Sequence, residues 1–258
     1  MNVSSALSGS NLPAADAEVL LSRILNHDRS WLLAHGDEEL RAESWSAFTQ
    51  WVDRRRKHEP VAYIIGEQEF YGRPFTVDKR VLIPRPATEG VVRSALSMLS
   101  GGGDSREVVD EGIVVTAKRI EKSEKRKVTT VVDIGTGSGC IAITLAQERP
   151  DLRIIATDIS QDALEVAKIN ARRHGVMDRI TFKQGSGLDP VQDLKEPFLL
   201  VSNPPYIPSG NDLMRDVKDF EPHVALFGGS DGNGIAQMLI KATQDHPFCT
   251  GWVMEGNA

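Results

Sequence analysis

The chain has 258 residues, 40% of them hydrophobic and 26% charged, and this composition is ordinary for a soluble globular protein with one large domain or two smaller ones. Its net charge of −6 disfavours binding mainly through nucleic-acid phosphates, and two cysteines with six scattered histidines give neither a disulfide framework nor metal-ligand spacing. No apolar run reaches the roughly 18 residues of a membrane span, and the first ten residues do not resemble a signal peptide, so we expect a cytoplasmic protein.

Helices are predicted for most of residues 12–57. Apolar side chains recur at helical spacing over residues 13–25 and again over residues 42–57, with a short turn at 31–33 between them. Nothing in this region resembles a catalytic motif. We therefore predict that residues 1–58 form a small helical domain that recognises the substrate.

Two strands are predicted next, over residues 61–66 and 70–78, where the pattern alternates around Gly66 and Gly72. We expect residues 59–85 to form a β-hairpin linker. Prolines at positions 84 and 86 lead into a helix predicted over residues 87–99. Residues 101–127 combine a glycine run with a charge-dense stretch, which predicts a surface insertion with a short strand at 113–116.

Strands alternate with helices from residue 128 onward. The predicted strands are 128–134, 153–159, 180–184, 198–202 and 251–255, and the predicted helices are 139–148, 162–174 and 232–245. Crossovers of this length predict an α/β fold with a doubly wound, mostly parallel sheet over residues 86–258. Ligands of such sheets collect at the carboxyl ends of the strands, where Gly135, Asp158, Ser186 and Asn203 fall.

A glycine-rich turn, DIGTGSG, runs from Asp133 to Gly139. Its glycines permit positive φ and a close approach of the backbone to a ligand, and we expect it to present free amides at a helix start. Asp158, about 20 residues further on, can accept both hydroxyls of a ribose. The G-x-G-x-G spacing resembles the S-adenosylmethionine (SAM) loop of class I methyltransferases, with a dinucleotide site or a purely structural turn as the alternatives.

A second motif, Asn203-Pro204-Pro205-Tyr206, directly follows the strand at 198–202. The two prolines fix φ and lack N–H donors, so the neighbouring carbonyl groups can face a cleft. The side-chain oxygen of Asn203 and the carbonyl of Pro204 can accept the two hydrogens of a planar NH2 group, while Tyr206 covers its face. Together the two motifs predict transfer of a methyl group from a sulfonium to nitrogen by positioning and electrostatics.

Several motifs together resemble one family. They are EPVAYIIGEQEFYG from Glu59, LIPRP from Leu82, DIGTGSG, NPPY, and FEPHVALFGGSDG from Phe220. With them the chain resembles, over nearly its whole length, the release-factor glutamine N5-methyltransferases of the HemK/PrmC family. The resemblance implies a helical bundle joined through a hairpin to a class I methyltransferase domain. It also implies SAM as cofactor and, as substrate, the glutamine in the GGQ loop of peptide chain release factors.

The resemblance also implies roles for individual residues. The cofactor would contact Asp133, Gly135, Thr136, Gly137, Ser138, Gly139, Asp158, Ser186, Gly187 and Asn203. The substrate glutamine would be held by Asn203, Pro204, Pro205 and Tyr206. We expect a monomer that makes no direct contact with nucleic acid or membrane.

The sequence departs from the family pattern at three places. Ser186 stands where an acidic residue usually follows the strand, and Ala87 where Asp or Glu usually follows LIPRP. The family's sheet continues with a helix and a final antiparallel hairpin, whereas this chain ends at Ala258. We therefore expect a C-terminally truncated chain in which the strand at Gly251 is an exposed edge.

Other functions fit parts of the pattern. NPPY also occurs in adenine-N6 methyltransferases, and a related enzyme methylates glutamine on a ribosomal protein. A module that keeps the fold but has lost SAM binding is a further alternative. The acidic balance and the lack of a target-recognition domain argue against DNA, and the helical domain with EPVAYIIG favours release factors. An organelle such as the mitochondrion stays open as the compartment.

Overall fold

A computed structural model of the protein describes residues 1–110, 112–120 and 128–257. The chain forms two compact units, Met1–Glu67 with Leu213–Phe220, and Gln68–Asp212 with Glu221–Ala258. The helices in chain order are α1 (Val3–Gly9), α2 (Ala14–Leu25), α3 (Arg29–Ala34), α4 (Ala42–Arg56), α5 (Val61–Ile65), α6 (Glu89–Leu99), α7 (Cys140–Glu148), α8 (Gln161–Arg173), α9 (Arg215–Lys218) and α10 (Gly234–Asp245). The strands are β1 (Glu67–Phe70), β2 (Arg73–Thr76), β3 (Ser105–Asp110), β4 (Ile113–Arg119), β5 (Thr130–Ile134), β6 (Arg153–Asp158), β7 (Ile180–Gln184), β8 (Phe198–Ser202) and β9 (Cys249–Asn257).

The first unit is helical, as predicted. The amphipathic helices α2 and α4 bury Leu20, Leu21 and Phe48 in a shared apolar cluster. The sequence pattern missed α1, which begins where the Asn2 side chain accepts a hydrogen bond from the backbone N–H of Ser5 at 2.9 Å. Such a cap satisfies an amide that has no partner within the helix.

The predicted strand at residues 61–66 is wrong, because this segment is α5. Pro60 precedes the helix and Gly66 ends it at a φ of 79°, in the left-handed region where glycine is favoured. Ile64 packs into the apolar cluster of the first unit. This packing outweighs the strand preference of the β-branched residues. The hairpin lies later, in β1 and β2, with Tyr71 and Gly72 both at positive φ in the turn.

The second unit contains a seven-stranded sheet in the order β3-β4-β9-β8-β5-β6-β7. The five strands from β9 to β7 are parallel to one another, and β4 pairs antiparallel with both β3 and β9. Neighbouring residues of β5 serve opposite faces: Val131 packs in one apolar cluster with α6 and α7, and Val132 in another with α10. The predicted doubly wound α/β fold is confirmed.

The predicted surface insertion at residues 101–127 is wrong in its central part. Residues 105–110 and 113–119 form two strands of the main sheet, and β4 buries Val114, Val115 and Ala117. The short strand predicted at 113–116 is confirmed as part of β4, but the charged residues around it wrongly indicated a position on the surface. Residues 111 and 121–127 lie outside the described part of the chain.

The strand near the C-terminus is therefore not an exposed edge. Residues 251–257 of β9 pair with β4 on one side, and residues 249–254 pair with β8 on the other. At Gly251 the backbone of β9 pairs with a strand on each side, so the exposed edge expected there is absent. Among the described residues, we find no helix whose length and apolar character would let it cross a bilayer.

Candidate active site

The carboxyl ends of β5, β6, β7 and β8 surround a cavity of about 190 Å³ in the second unit. The sequence-predicted site residues that line it are Gly135, Gly137, Asp158, Ser186, Gly187, Asn203, Pro204 and Pro205. The glycine turn and the proline corner therefore open onto one cleft, although nearly 70 residues separate them in the sequence. The remaining predicted residues, Asp133, Thr136, Ser138, Gly139 and Tyr206, lie outside the cleft lining.

The glycines of the turn serve two different purposes. All three have positive φ, at 70° for Gly135, 56° for Gly137 and 82° for Gly139. A Cβ on Gly135 would meet open space, so the backbone there is accessible to a ligand. A Cβ on Gly139 would lie 2.9 Å from Cδ1 of Ile143 and 3.2 Å from Cβ of Ala167. Gly139 is therefore required for packing rather than for ligand contact.

The expectation of free amides in this turn is wrong for three of its residues. The N–H of Thr136 donates to the Thr157 carbonyl at 2.9 Å, and that of Gly139 donates to the Thr136 carbonyl at 2.8 Å. The N–H of Gly137 donates to Oδ2 of Asp158 at 2.9 Å. These internal bonds hold the turn in shape, so an anionic group cannot take these amides without breaking them.

Asp133 and Thr136 lie beneath the turn. The Thr136 hydroxyl donates to Oδ2 of Asp133 at 2.6 Å, and both side chains are buried. Burial raises the pKa of Asp133 to about 7, although the bond from Thr136 opposes the shift. Ser138 is buried as well, and its carbonyl accepts a hydrogen bond from the Asn170 side chain at 2.9 Å. These three residues therefore stabilise the turn without lining the cleft.

Asp158 lies at the carboxyl end of β6, in the lining of the cleft. Its Oδ1 accepts a hydrogen bond from the N–H of Ser160 at 2.9 Å, and its Oδ2 accepts the one from Gly137. Burial raises its pKa, and these backbone donors counteract the shift. A carboxylate has about four acceptor positions, more than these backbone donors fill, so Asp158 can still accept hydrogen bonds from ligand hydroxyls.

The proline corner is tied to two other segments. The Ser202 hydroxyl donates to the carbonyl of Ile134 at 2.8 Å, which joins the ends of β8 and β5. Nδ2 of Asn203 donates to Oγ1 of Thr88 at 2.9 Å. That bond fixes the amide so that Oδ1 is the atom left to accept a hydrogen bond from a ligand.

Tyr206 contacts a residue that the sequence reasoning missed. Its hydroxyl donates to Oε1 of Glu255 at 2.8 Å, so the ring is anchored beside the cleft rather than in its lining. The Glu255 side chain is buried near the end of β9. Its other oxygen, Oε2, lacks a hydrogen bond of standard geometry. A signal for it was present in the sequence: like Asp133 and Asp158, Glu255 is an acidic residue at the end of an apolar strand.

An ion pair between a partly exposed arginine and a buried glutamate joins two of the motifs that carry the family resemblance. Glu221 is 4% exposed, and its carboxylate accepts hydrogen bonds from Nη2 of Arg85 at 2.5 Å and from the N–H of Ile83 at 3.2 Å. Leu82, next to Ile83, and Pro222, next to Glu221, line the cleft. The pair therefore fixes one wall of the cleft.

Comparison with known proteins agrees with this geometry. Residues 2–66 match the PrmC N-terminal domain, and residues 98–219 match the methyltransferase small domain. The release factor glutamine methyltransferase of Koribacter versatilis is 38% identical over 244 residues, which is 94% of this chain and 78% of that protein. The same-named protein of Geobacter sulfurreducens is 36% identical over 93% of this chain and 75% of its own length.

A longer protein is also similar. The bifunctional methyltransferase of Rickettsia felis is 40% identical over 223 residues, and the match covers 84% of this chain but only 42% of that protein. The similarity to the two single-function enzymes extends over three quarters or more of each of them. This chain belongs to the release factor glutamine methyltransferase family.

Proposed function

We propose that this protein transfers a methyl group from SAM to the side-chain amide nitrogen of a glutamine, the one in the GGQ loop of a peptide chain release factor. The observation that carries the proposal is the shared cleft, onto which both the glycine turn and the proline corner open. A donor at the first and an amide at the second would face each other within one cavity. Membership of the family supports the choice of release factors.

The cofactor half of the cleft fits SAM. The open space above Gly135 admits a ligand against the backbone, and Asp158 has lone pairs to accept both ribose hydroxyls. Ser186 and Gly187 line the same half and would border the adenine ring. When bound, SAM supplies an electrophilic methyl group on a sulfonium. We assign Asp133, Thr136, Ser138 and Gly139 an indirect role, in which they hold the turn in the binding conformation.

The acceptor half fits a carboxamide. Oδ1 of Asn203 and the carbonyl of Pro204 would each accept one N–H of the substrate amide, with Pro205 and Tyr206 beside it. An amide nitrogen is a weak nucleophile because its lone pair is conjugated with the carbonyl. Two acceptors on its hydrogens increase the charge on nitrogen as the new bond forms, and they orient the lone pair along the line of transfer. The extra proton leaves after transfer.

We further propose that residues 1–58 recognise the release factor. The protein would act as a monomer, without direct contact with nucleic acid or membrane. It would work where translation terminates, in the cytoplasm or in an organelle such as the mitochondrion.

A side-by-side assay tests the proposal. Radiolabelled SAM is offered with a release factor, a ribosomal protein or a DNA oligonucleotide, and SAM binding is measured separately by calorimetry. We expect label on the release factor alone, its loss in Asn203→Ala, and its retention in Asn211→Ala, which removes an exposed asparagine outside the cleft lining. Label on the DNA or the ribosomal protein would assign another substrate, and absent SAM binding would indicate a non-catalytic module.

A further inference from the structure

Glu255 is a buried carboxylate that the proposed reaction does not itself use. It is 1% exposed, and its backbone is fixed within the sheet, opposite Val115 of β4. Met254, next to it, pairs with Ser202 at the end of β8, directly before Asn203. The sheet therefore holds the carboxylate rigidly beside the proline corner.

Both side chains proposed to hold the substrate amide connect to Glu255. Tyr206 does so directly, by donating its hydroxyl hydrogen to Oε1 at 2.8 Å. Asn203 does so in two ways: its NH2 donates to Oγ1 of Thr88 at 2.9 Å, and its side chain also lies close enough to Glu255 to stabilise the ionised form by a hydrogen bond. The Thr88 hydroxyl also lies close enough to Glu255 to stabilise its ionised form by a hydrogen bond. The buried Oε2 lacks a hydrogen bond of standard geometry, and a small rotation of the Thr88 hydroxyl would let it donate to this oxygen.

The chemistry of a carboxylate fixes the direction of these bonds. An ionised carboxylate accepts hydrogen bonds and donates none, so Tyr206 and Thr88 must both donate toward it. With its hydrogen committed to Glu255, the Thr88 oxygen can only accept, and the group of Asn203 that donates to it is the NH2. Asn203 must then present Oδ1 to the substrate side. The opposite orientation would direct the NH2 of Asn203 at the NH2 of the substrate, where two donors meet.

Burial raises the pKa of Glu255, and its hydrogen-bond donors and a nearby positive charge oppose that shift. Arg85 supplies the charge, while its guanidinium is hydrogen-bonded to Glu221. The LIPRP segment thus contributes Arg85 to this network, and Thr88 follows two residues after its end.

We propose that Glu255 is a positioning residue for methyl transfer, which sets the orientation of the Asn203 amide by direct contact and through Thr88, and which anchors Tyr206. The proposal rests on the acceptor role given to Asn203 under the proposed function. Glu255 lies outside the cleft lining, so it acts through these neighbours rather than on the substrate.

Glu255→Gln tests the proposal with little change in shape. A glutamine can donate as well as accept, so it no longer dictates the direction of the bonds. We expect kcat on the release factor to fall by about tenfold or more, the size of one well-placed hydrogen bond, while the Kd for SAM stays within about twofold. The thermal midpoint, measured in parallel, shows that the variant folds.

A double-mutant cycle with Thr88→Val identifies the route. If Glu255 acts through Thr88, the double variant loses less kcat/KM than the product of the two single losses. Independent, multiplicative losses would assign the positioning to the direct contact between Glu255 and Asn203 and so still support it. An unchanged kcat in Glu255→Gln, or a loss of SAM affinity that accounts for the whole effect, would overturn the proposal. If the wild type leaves the release factor unmethylated while binding SAM, the proposed substrate fails, and hydrogen exchange at Asn203 then decides the role of Glu255.

One measurement does not depend on activity. In protein labelled with 15N at asparagine, hydrogen exchange of the Asn203 side-chain NH2 reports its bond to Thr88. We expect faster exchange in Glu255→Gln than in the wild type, with the amide of Asn170, which is bonded to the carbonyls of Thr76 and Ser138, as an unaffected internal control. Equal exchange of Asn203 in both proteins would overturn the positioning role.

Discussion

The side-chain amide of Asn203 donates a hydrogen bond to Oγ1 of Thr88 across 2.9 Å, joining residues 115 positions apart in the sequence. Thr88 is buried, at the end of the turn that leads into α6. The bond decides which atom of the asparagine faces the cleft. It therefore connects the packing of the second unit to the chemistry proposed for the proline corner.

Replacing Thr88 by valine removes the acceptor of that bond while keeping the side-chain shape. The Asn203 amide then loses its orientation, and we expect kcat to fall by about tenfold, the value of one hydrogen bond of ordinary strength. Thr88→Ser keeps the hydroxyl and serves as the matched control, with a smaller loss. Steady-state kinetics with a release factor measures both. Equal losses in the two variants would assign the effect to the missing methyl group instead.

We expect different defects when Gly135 and Gly139 of the turn are each replaced by alanine. Both substitutions incur a cost of about 1 kcal/mol for a left-handed backbone. Gly139→Ala adds a clash with Ile143 and Ala167, so we expect it to lose about 1–3 kcal/mol more in the free energy of unfolding. Gly135→Ala places its methyl group in open space and should weaken SAM binding more than it weakens folding. Denaturant unfolding and SAM calorimetry on both variants separate the two roles, and indistinguishable profiles would contradict them.

Asp133 makes stability depend on pH in a specific direction. Its pKa rises from 3.8 to about 7 on burial, so between these values the folded state holds a proton that the unfolded state has released. The free energy of unfolding of the wild type should therefore fall as pH rises through that window, relative to Asp133→Asn. The difference should reach roughly 4 kcal/mol, at about 1.4 kcal/mol per pKa unit, and level off above pH 7. A difference that is constant or shrinks with rising pH would show that Asp133 is ionised in the fold.

Two valines of the β3–β4 hairpin test its place in the sheet. Val115 is fully buried in the core of the second unit, whereas Val108 of β3 is 72% exposed. We expect Val115→Asp to cost at least about 3 kcal/mol because it buries an unpaired charge, and Val108→Asp to stay within about 0.5 kcal/mol. Urea unfolding provides both values. Two equally mild losses would mean that the segment is a surface insertion after all.

The parts of the site that the sequence predicted depend on local patterns. DIGTGSG, Asp158 and NPPY each stand at the end of an apolar strand, and parallel strands bring such ends to one edge of the sheet. Residues of this kind can be placed from the strand order alone. Their roles toward cofactor and substrate stay proposals.

The parts that were missed depend on contacts between distant segments. The role of Thr88 follows from its side-chain bond to Asn203, which no local pattern predicts. The position of Glu255 after an apolar run was a local signal, but its bond to Tyr206 was not predictable from it. The helix at Val61–Ile65 follows from burial of its apolar side chains, which outweighed their strand preference. A short strand was predicted at 113–116, but the charges that surround it in the sequence favoured a surface position, whereas β4 pairs within the main sheet.

The central claim is that a sulfonium donor and a carboxamide meet in the cleft between Asp158 and Asn203. A crystal structure with S-adenosyl-homocysteine and a glutamine peptide from a release factor tests it most directly. We predict the ribose at Asp158 and the glutamine amide between Oδ1 of Asn203 and the Pro204 carbonyl, with its nitrogen facing the cofactor sulfur. A glutamine bound away from Asn203, or a cofactor bound outside this cleft, would contradict the account.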